Sequence, residues 1–355
     1  MPYQKSSSFY NFIEQAAEHF QNKLPGVLYK NPNEDCVQAI FQHDANLQEV
    51  SDFTESGFVF GPFLDDSSPV LIRPDSKLSV IFKTDENQSI PQNIAFNASV
   101  IEENRYKKLV EDAVRSIKLG EIKKVVLSRK LEVTTKRNPM EIFQRLLNRY
   151  PNALCYYWYH PSVGTWVGAT PEILMRQKGN KFSTVALAGT MQESEHPHPA
   201  WGAKEKEEQH MVTTYIETVL ADKVEKLQRS DVETVKAGNL WHLKTTIKGE
   251  ALPENTRSIL RSLHPTPAVC GMPLKEARSF ILKHENYPRR FYTGYLGEIN
   301  LGSERDTSLF VNLRCMELID HKAVIYVGGG ITEDSDPSME WEETVAKSKT
   351  MLQVV

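Results

Sequence analysis

A strand, three glycines and a helix start follow one another near the C-terminus, and this order constrains the fold more than any other stretch. The apolar residues 323–327 predict a strand, and residues 328–330, all glycine, follow it. A backbone without side-chain cover can approach an anionic ligand closely and offer its N–H groups to it. Asp336 is a favourable N-cap and Pro337 suits the first helical position, so we expect a helix to begin there.

Two carboxylates on this predicted helix indicate what the glycine turn is for. Glu340 and Glu343 are three residues apart and therefore lie on one side of the helix. A glycine turn, a helix N-terminus and two carboxylates on the same side together predict a site for an anionic ligand bridged by a divalent metal. Other parts of the chain must supply the remaining groups.

Composition excludes several classes of protein. The 355 residues are 40% hydrophobic and 25% charged, as in an ordinary globular protein, and a net charge of -4 gives no reason to expect nucleic acid or a membrane surface as a partner. No apolar run approaches the roughly 20 residues that span a bilayer, and the N-terminus lacks the apolar core of a signal peptide. Four scattered cysteines, without a C-x-x-C pair, favour a reducing cytoplasm.

Strand and helix patterns alternate along the chain without a repeat or a linker. We therefore expect one large α/β (α+β) domain, residues 1–355, with helices on the outside. Residues 1–100 show little readable chemistry, and the candidate polar groups all lie in residues 101–355. Periodicity predicts helices at 9–20, 106–117, 139–149, 203–226 and 273–284, and strands at 122–129, 153–159, 165–169, 173–177, 181–187, 241–247, 292–299, 309–319 and 323–327.

A second pair of carboxylates lies on the predicted helix 203–226. Its apolar stripe, projected backwards by three or four residues, reaches Glu208 and then Glu205, whereas Glu207 points elsewhere. Mg²⁺ prefers oxygen ligands and shares its shell between carboxylates, water and a substrate anion. Two helices that each carry such a pair would provide a magnesium site, although a charge run of this kind is also typical of a solvated helix face.

Lys124 and Glu172 are candidates for a base and an acid. Lys124 begins an apolar strand, where burial would make lysine a usable base. Glu172 stands between apolar segments, where a carboxyl can stay protonated and act as an acid. The alternatives are a lysine whose amine reaches out to water and a solvent-facing glutamate on an edge strand.

Two further residues could bind or orient a ligand. Arg314 lies in a predicted strand with little other charge and suits the bidentate capture of a carboxylate, or else an internal salt bridge. His264 lies between stiff residues, as a positioned donor or merely a turn histidine would. His196 and His198 fall in a polar loop and are interpreted as surface residues. The triple glycine does not fit G-x-G-x-x-G, so no dinucleotide fold is indicated.

In this order, the motifs resemble those of the chorismate-utilising enzymes and, within them, the isochorismate synthases. The resemblance covers residues 101–355, and its segments are KVVLSR (124–129), GATPE (168–172), LAGT (187–190), KEKEE (204–208), HPTPA (264–268), FYTG (291–294), the segment around Arg314, and residues 328–344.

The resemblance implies large antiparallel sheets stacked at the centre with helices outside, and a Mg²⁺-dependent site between them. It implies that Lys124 activates water for attack at C2 of chorismate and that Glu172 protonates the departing C4 hydroxyl. The implied metal ligands are Glu208 and Glu343, with Glu205 and Glu340 coordinating directly or through water. The implied substrate-binding residues are Thr190, Gly189, His264, Tyr292, Arg314, Gly328, Gly329 and Gly330.

Two positions distinguish members of this family. Ala188 stands where aminodeoxychorismate synthases look to carry a nucleophilic lysine, and Lys124 stands where ammonia-using members usually have a neutral residue. Water is therefore the expected nucleophile, and no glutaminase subunit is expected. Gln209 replaces a histidine often found after the metal-binding glutamate, and Gly329 replaces an alanine.

The leading hypothesis is an isomerase that converts chorismate to isochorismate for menaquinone or siderophore biosynthesis. Salicylate synthases are similar at both distinguishing positions, so additional pyruvate elimination remains open. A chorismate-binding protein without turnover is the alternative of a different class. We expect a monomer.

Overall fold

The computed structural model describes residues 2–64, 66–84, 99–192, 199–237, 240–302 and 304–355. None of the helices in these ranges has the length and apolar character needed to cross a membrane. The helices are α1 (Phe9–Gln21), α2 (Val100–Lys118), α3 (Pro139–Arg149), α4 (Ala203–Leu220), α5 (Thr256–Leu263), α6 (Leu274–His284) and α7 (Pro337–Leu352).

Most of the remaining described chain is β-strand. The strands are β1 (Gln4–Lys5), β2 (Gly26–Lys30), β3 (Cys36–Phe41), β4 (Gln48–Glu49), β5 (Gly57–Gly61), β6 (Val70–Ile72), β7 (Ser76–Ile81), β8 (Lys124–Thr134), β9 (Leu154–His160), β10 (Gly164–Thr170), β11 (Ile173–Lys178), β12 (Lys181–Gln192), β13 (Glu225–Arg229), β14 (Glu233–Ala237), β15 (Leu240–Glu250), β16 (Gly271–Met272), β17 (Tyr295–Leu301), β18 (Asp306–Val311), β19 (Cys315–Ile319) and β20 (Lys322–Ile331).

Within the described ranges the strands form two large sheets. The first has the order β1-β7-β3-β2-β9-β10-β19-β20-β8-β16, and the second β13-β15-β12-β11-β18-β17-β5-β6-β4, with β14 beside β15. The short β1–β7 pair is parallel, whereas the long neighbours, such as β8 with β20 and β12 with β15, are antiparallel. Strands from the first hundred residues take part in both sheets.

Aromatic side chains fill the space between the sheets. Phe60 of the second sheet contacts Trp158 of the first, with ring centroids 5.0 Å apart, and stacks on Phe291 at 4.2 Å. All three rings belong to one buried cluster that draws on both sheets. Burial of these large apolar side chains is the main force that holds the two sheets face to face.

Helices cover the outer faces of both sheets. Buried residues of α1, α3 and the C-terminal half of α7 pack on the first sheet, and those of α4 and α5 pack on the second. A further cluster joins α2, α6 and Trp341 of α7 to the end of the first sheet at β8. The prediction of large antiparallel sheets with helices outside is therefore confirmed.

The helix predictions succeed where the chain carries capping residues. Asn138 and Glu141 form a capping box at the start of α3, and Asp336 accepts hydrogen bonds from the amides of Ser338 and Met339 ahead of α7. The predicted helix 203–226 is too long, because α4 ends at Leu220 and the chain turns into β13. No glycine or proline in that stretch marked the end of the helix.

Two strand predictions are corrected by the structure. Residues 309–319 do not form one strand: β18 belongs to the second sheet and β19 to the first, so Arg314 lies on the segment that crosses between them, with φ of 48°. The three glycines do not follow a strand but are part of β20, opposite Ser128, Leu127 and Val126 of β8. Apolar periodicity does not distinguish a continuous strand from one that changes sheets.

Candidate active site

One cavity of about 210 Å³ lies between the two sheets, where the chain crosses from one to the other. It is smaller than the roughly 300–1,000 Å³ typical of drug-sized ligands, so it suits a compact molecule. Most of the predicted site residues line it, namely Lys124, Glu172, Gly189, Glu205, Glu208, Tyr292, Arg314, Gly328, Gly329, Gly330, Glu340 and Glu343.

Lys124 is the first residue of β8 and is only 3% exposed. Its ammonium group forms an ion pair with Glu208, with Nζ 2.5 Å from Oε1. A Cβ atom at Gly330 would lie 3.0 Å from Cε of Lys124, so the glycine provides the space that the lysine occupies. The amine is therefore held inside the cavity and does not reach out to water.

Glu172 lies on the short segment that leads from β10 in the first sheet to β11 in the second. Its backbone carbonyl accepts a hydrogen bond from the amide of Val311, which fixes the segment beside the end of β18. Burial raises the pKa of the carboxyl to about 7, although Lys124, Lys347 and Arg314 act in the opposite direction. A carboxyl of this kind is substantially protonated at neutral pH and can act as an acid.

The two carboxylates of α7 converge on the glycines of β20. A Cβ atom at Gly329 would lie 3.2 Å from Oε2 of Glu340 and 3.5 Å from Oε1 of Glu343. Glu340 is buried, and its Oε1 accepts a hydrogen bond of 2.6 Å from Ser335. Burial would raise the pKa of Glu343, but the charge and hydrogen bond of Lys347 outweigh it, so this pKa lies below its ordinary value.

The carboxylates of α4 face the same cavity. Glu208 pairs with Lys124, and Oε2 of Glu205 accepts a hydrogen bond from the amide of Gly202 at the start of the helix. The charge of Glu208 acts on Glu343 in the raising direction, although the pKa of Glu343 stays below its ordinary value because of Lys347. The prediction that Glu205 and Glu208 share the inner face while Glu207 is exposed agrees with their positions.

These four carboxylates are suitable ligands for Mg²⁺, because Mg²⁺ is a hard ion that prefers oxygen ligands. Across the described ranges, no three His, Cys, Asp or Glu side chains form a preassembled metal cluster. Glu208 and Glu343 instead pair with Lys124 and Lys347, whose ammonium groups balance their charge. The residues thus fit a divalent cation that would replace these lysines as the partner of the carboxylates.

Gly189 lies at a bulge in β12, where the pairing with β15 shifts by one residue. Its φ is +70°, a conformation that favours glycine, and a Cβ atom there would lie 3.3 Å from Cβ of Glu205. The bulge turns the carbonyl of Gly189 toward His242, whose Nδ1 lies 3.0 Å from that oxygen. The contact with His242 joins β12 to β15, and the approach of Glu205 brings α4 to the same part of the cavity wall.

Tyr292 and Arg314 lie on the side of the cavity next to β20. The ring of Tyr292 stacks on Tyr326 at 5.4 Å, and a Cβ atom at Gly328 would lie 3.1 Å from its hydroxyl. Arg314 donates to the hydroxyl of Thr350 at 3.2 Å, and burial lowers the pKa of its guanidinium. A cation and a hydroxyl thus line the same cavity as the glycine backbone, as the capture of a carboxylate requires.

Two predicted residues are not placed among the lining side chains. His264 does not line this cavity: its ring is buried, Nε2 lies 3.0 Å from the carbonyl of Pro62, and it packs edge-on against Tyr295. Thr190 pairs with His242 in the β12–β15 ladder, but its side chain is outside the described part of the structure. His196 and His198, interpreted as surface residues, also lie outside it.

Sequence reasoning missed Lys347 and His242, which both line the cavity. Lys347 donates to the carbonyl of Gly328 at 2.9 Å and pairs with Glu343 at 2.5 Å. Its position four residues after Glu343 was a usable signal. Burial lowers the pKa of His242 to about 4, so its imidazole is neutral near pH 7. The strand pattern around His242 gave no comparable signal that this residue would line the cavity.

The two departures from the family pattern have clear positions. The side-chain amide of Gln209 donates to the carbonyl of Ala186 at 3.1 Å and to the hydroxyl of Thr245 at 3.0 Å, so it bonds to β12 and β15. Gly329 lies directly beside the carboxylates of α7. Of the two, Gly329 has the more direct contact with the candidate metal ligands.

Comparison with known proteins identifies the family of the chain. A family model described as "Chorismate binding enzyme" matches residues 69–355. The isochorismate synthase EntC of Escherichia coli (strain K12) is 30% identical over 274 residues, which is 74% of this chain and 70% of that protein. The chain therefore belongs to the family of chorismate-binding enzymes.

Two solved structures share the fold over nearly the whole chain. One is described as a putative 2,3-dihydroxybenzoate-specific isochorismate synthase, DhbC, from Bacillus anthracis, with a TM-score of 0.80, 24% identity, and coverage of 96% of this chain and 99% of that chain. The other is MenF, the menaquinone-specific isochorismate synthase from Escherichia coli, with a TM-score of 0.76, 20% identity, and coverage of 93% of this chain and 88% of that chain.

Proposed function

We propose that this protein is an isochorismate synthase, an isomerase that converts chorismate to isochorismate with the help of Mg²⁺. The observation that carries the proposal is the meeting of Lys124, Glu172 and four carboxylates in one cavity. A family of chorismate-binding enzymes with a relative named isochorismate synthase at 30% identity supports the same activity.

In the proposed site, Glu208 and Glu343 would hold Mg²⁺, and Glu205 and Glu340 would be its further ligands. When bound, the ion would supply positive charge that offsets the charge of the ring carboxylate of chorismate. The second carboxylate, on the enolpyruvyl group, is bound by Arg314, the hydroxyl of Tyr292 and the amides of Gly328 and Gly330, which alternate along β20 with the amide of Gly329 that faces β8. The edge of β20 at these glycines lies beyond the stretch that pairs with β19, which ends at Ile325, so it is available to a ligand.

The reaction adds one water and releases another. Lys124 accepts a proton from the water that attacks C2, which requires its amine to be freed from Glu208 and deprotonated. The ring double bonds shift as the new C–O bond forms, and the bond between C4 and its hydroxyl breaks. Glu172, whose pKa is raised to about 7 so that a substantial fraction is protonated at neutral pH, donates the proton with which that hydroxyl leaves as water. The composition of the substrate is unchanged, as an isomerisation demands.

The cavity wall disfavours the amine-forming reactions of related enzymes. Ala188 lines the cavity and offers only a methyl group where a lysine nucleophile would be needed. Lys124 occupies the position of the base, and its positive charge when protonated would not favour an ammonium ion nearby. Water therefore remains the proposed nucleophile, and chorismate the proposed substrate, without a glutaminase partner.

Incubation of the protein with chorismate and Mg²⁺, followed by chromatography, tests the proposal. We expect isochorismate as the product and its loss when a chelator removes the metal. Salicylate together with pyruvate would show that the protein is a salicylate synthase. Unchanged chorismate in the presence of Mg²⁺, with chorismate binding detected by calorimetry, would instead establish a binding protein without turnover.

A further inference from the structure

A buried arginine packs against α7 on the face next to the one that carries the candidate metal ligands. Arg129 is only 7% exposed and comes from β8, the strand that begins with Lys124. Its Nε donates a hydrogen bond of 2.7 Å to the hydroxyl of Thr344, and its guanidinium lies over the ring of Trp341, 4.1 Å from the centroid. Among the described residues, its Nη1 and Nη2 atoms have no hydrogen-bond partner.

The partners of Arg129 alternate along α7 with the candidate metal ligands. Glu340 and Glu343 are three residues apart and reach Gly329. Trp341 and Thr344 are also three residues apart, each directly after one of the glutamates, and both are buried. Side chains three residues apart share a face of a helix, so α7 presents one pair to the cavity and the other to Arg129.

Arg129 also lies in register with the glycine strand. It pairs with Val327 of β20, next to the Ser128–Gly328 pair. One side chain thus connects the strand of the proposed base, the strand of the glycines and the helix of the carboxylates. Burial lowers the pKa of the guanidinium, and an apolar side chain would avoid this desolvation, so packing alone does not require arginine here.

We infer that Arg129 is a positioning residue for the metal site: it fixes α7 through Thr344 and Trp341 so that Glu340 and Glu343 are held at the distance that Mg²⁺ requires. The inference rests on the proposed Mg²⁺ site. Groups that orient metal ligands without touching the metal typically change its affinity by 10–100-fold when removed. If Arg129 acted only through its charge, its removal would strengthen Mg²⁺ binding, because a nearby cation repels Mg²⁺.

This difference in sign allows a direct test by calorimetric titration of the 355-residue chain with MgCl₂, without substrate. Arg129→Met removes both charge and hydrogen bond, Arg129→Lys keeps the charge, and Thr344→Val keeps the arginine but removes its acceptor. We expect roughly tenfold weaker Mg²⁺ binding for both arginine variants and a smaller loss for Thr344→Val. Arg115→Met is the matched control, because that side chain is 67% exposed, and it should leave the affinity unchanged.

Other results would overturn the inference. Tighter binding in Arg129→Met, with Arg129→Lys and Thr344→Val unchanged, would show that only the charge acts on the metal. A lower melting temperature with unchanged affinity in all three variants would show that Arg129 only supports the fold. If Arg129→Met does not fold, Thr344→Val decides, since an unchanged affinity there is incompatible with positioning. A wild-type protein that neither binds Mg²⁺ nor converts chorismate would overturn the proposed function, and this inference with it.

Discussion

At the scale of single residues, the proposed chemistry depends on two groups with opposite tasks. Lys124 is buried beside a carboxylate, and Glu172 is a carboxyl whose burial favours its neutral form. Lys124, Glu172 and the glutamate pairs could be predicted from the sequence, because charged residues inside apolar segments and at helical spacing are visible there. The contacts of His242 with Gly189 depend on a bulge, which no local pattern showed.

Replacing Lys124 by alanine should remove the proposed base. We expect kcat to fall by at least about 100-fold, the lower end of what a positioned acid–base group contributes, while the protein stays folded. Steady-state kinetics with chorismate and circular dichroism check the two parts. Lys123→Ala, a change in the exposed neighbour, is the matched control and should retain normal turnover. Near-normal turnover in Lys124→Ala would show that the base is another group.

The pH dependence of activity should report Glu172. Because the proposed acid must be protonated, kcat/KM is expected to fall about tenfold per pH unit above about 7, the raised pKa of this carboxyl. Glu172→Gln should have little activity, and what remains should not show this decline. A descending limb that persists unchanged in Glu172→Gln would assign it to a different group.

The same raised pKa predicts an effect on stability. The folded protein retains the proton of Glu172 up to about pH 7, whereas the unfolded chain loses it near its ordinary value of 4.5. The stabilising contribution is therefore complete below pH 4.5 and is lost as the pH rises through about 7. Denaturant unfolding of wild type and Glu172→Gln across this range should show that the variant lacks this decrease in the free energy of unfolding.

At the scale of secondary-structure elements, two crossing segments and one strand assemble the site. Glu172 and Arg314 lie where β10 leads to β11 and β18 leads to β19, and each crossing runs from one sheet to the other. The two segments are joined by hydrogen bonds from Val311 to Glu172 and from Ala169 to Arg314. The sequence pattern placed Arg314 in a strand, because apolar residues on both sides concealed the change of sheet.

Neighbouring glycines of β20 should affect different properties when each is replaced by alanine. Successive residues of a strand point to opposite faces. A methyl group at Gly329 would meet Glu340 at 3.2 Å, and one at Gly330 would meet Cε of Lys124 at 3.0 Å. We expect Gly329→Ala to weaken Mg²⁺ binding several-fold by displacing a carboxylate, and Gly330→Ala mainly to lower kcat by displacing the lysine.

Calorimetry with MgCl₂ and steady-state kinetics on both variants separate these effects. Neither glycine has a left-handed φ, so both proteins should fold. Each variant serves as the control for the other, because the chemical change is the same and only the contacted side chain differs. If both variants changed the same parameter, the division of β20 into a metal-facing and a base-facing residue would be wrong.

At the scale of the whole molecule, the stacked sheets depend on the aromatic cluster between them. Phe60 is fully buried and contacts Phe291, Trp158 and Trp166. Phe60→Ala should lower the free energy of unfolding by about 3–5 kcal/mol, from lost burial and the cavity left behind. Tyr10→Ala, at a side chain that is 73% exposed, should change it by no more than about 0.5 kcal/mol. Equal losses in a denaturant titration would contradict the assigned core.

The general architecture could be predicted from the sequence, but its connections could not. Capping residues marked helices such as α3 and α7, because a cap acts within a few residues of chain. Strand partners are chosen by contacts between distant segments, so nothing near β8 indicates that it pairs with β20. For the same reason, the role of the first hundred residues was not visible, although their strands belong to both sheets.

The pairing of β8 with β20, described above as part of the first sheet, also has a consequence for biosynthesis. Val125 of β8 meets Ile331 of β20, about two hundred residues later. At a synthesis rate of roughly 5–20 residues per second, the ribosome needs on the order of ten to forty seconds to add the partner strand. Until then one edge of an apolar strand has no partner, which makes the nascent chain prone to aggregation and a natural client for chaperones.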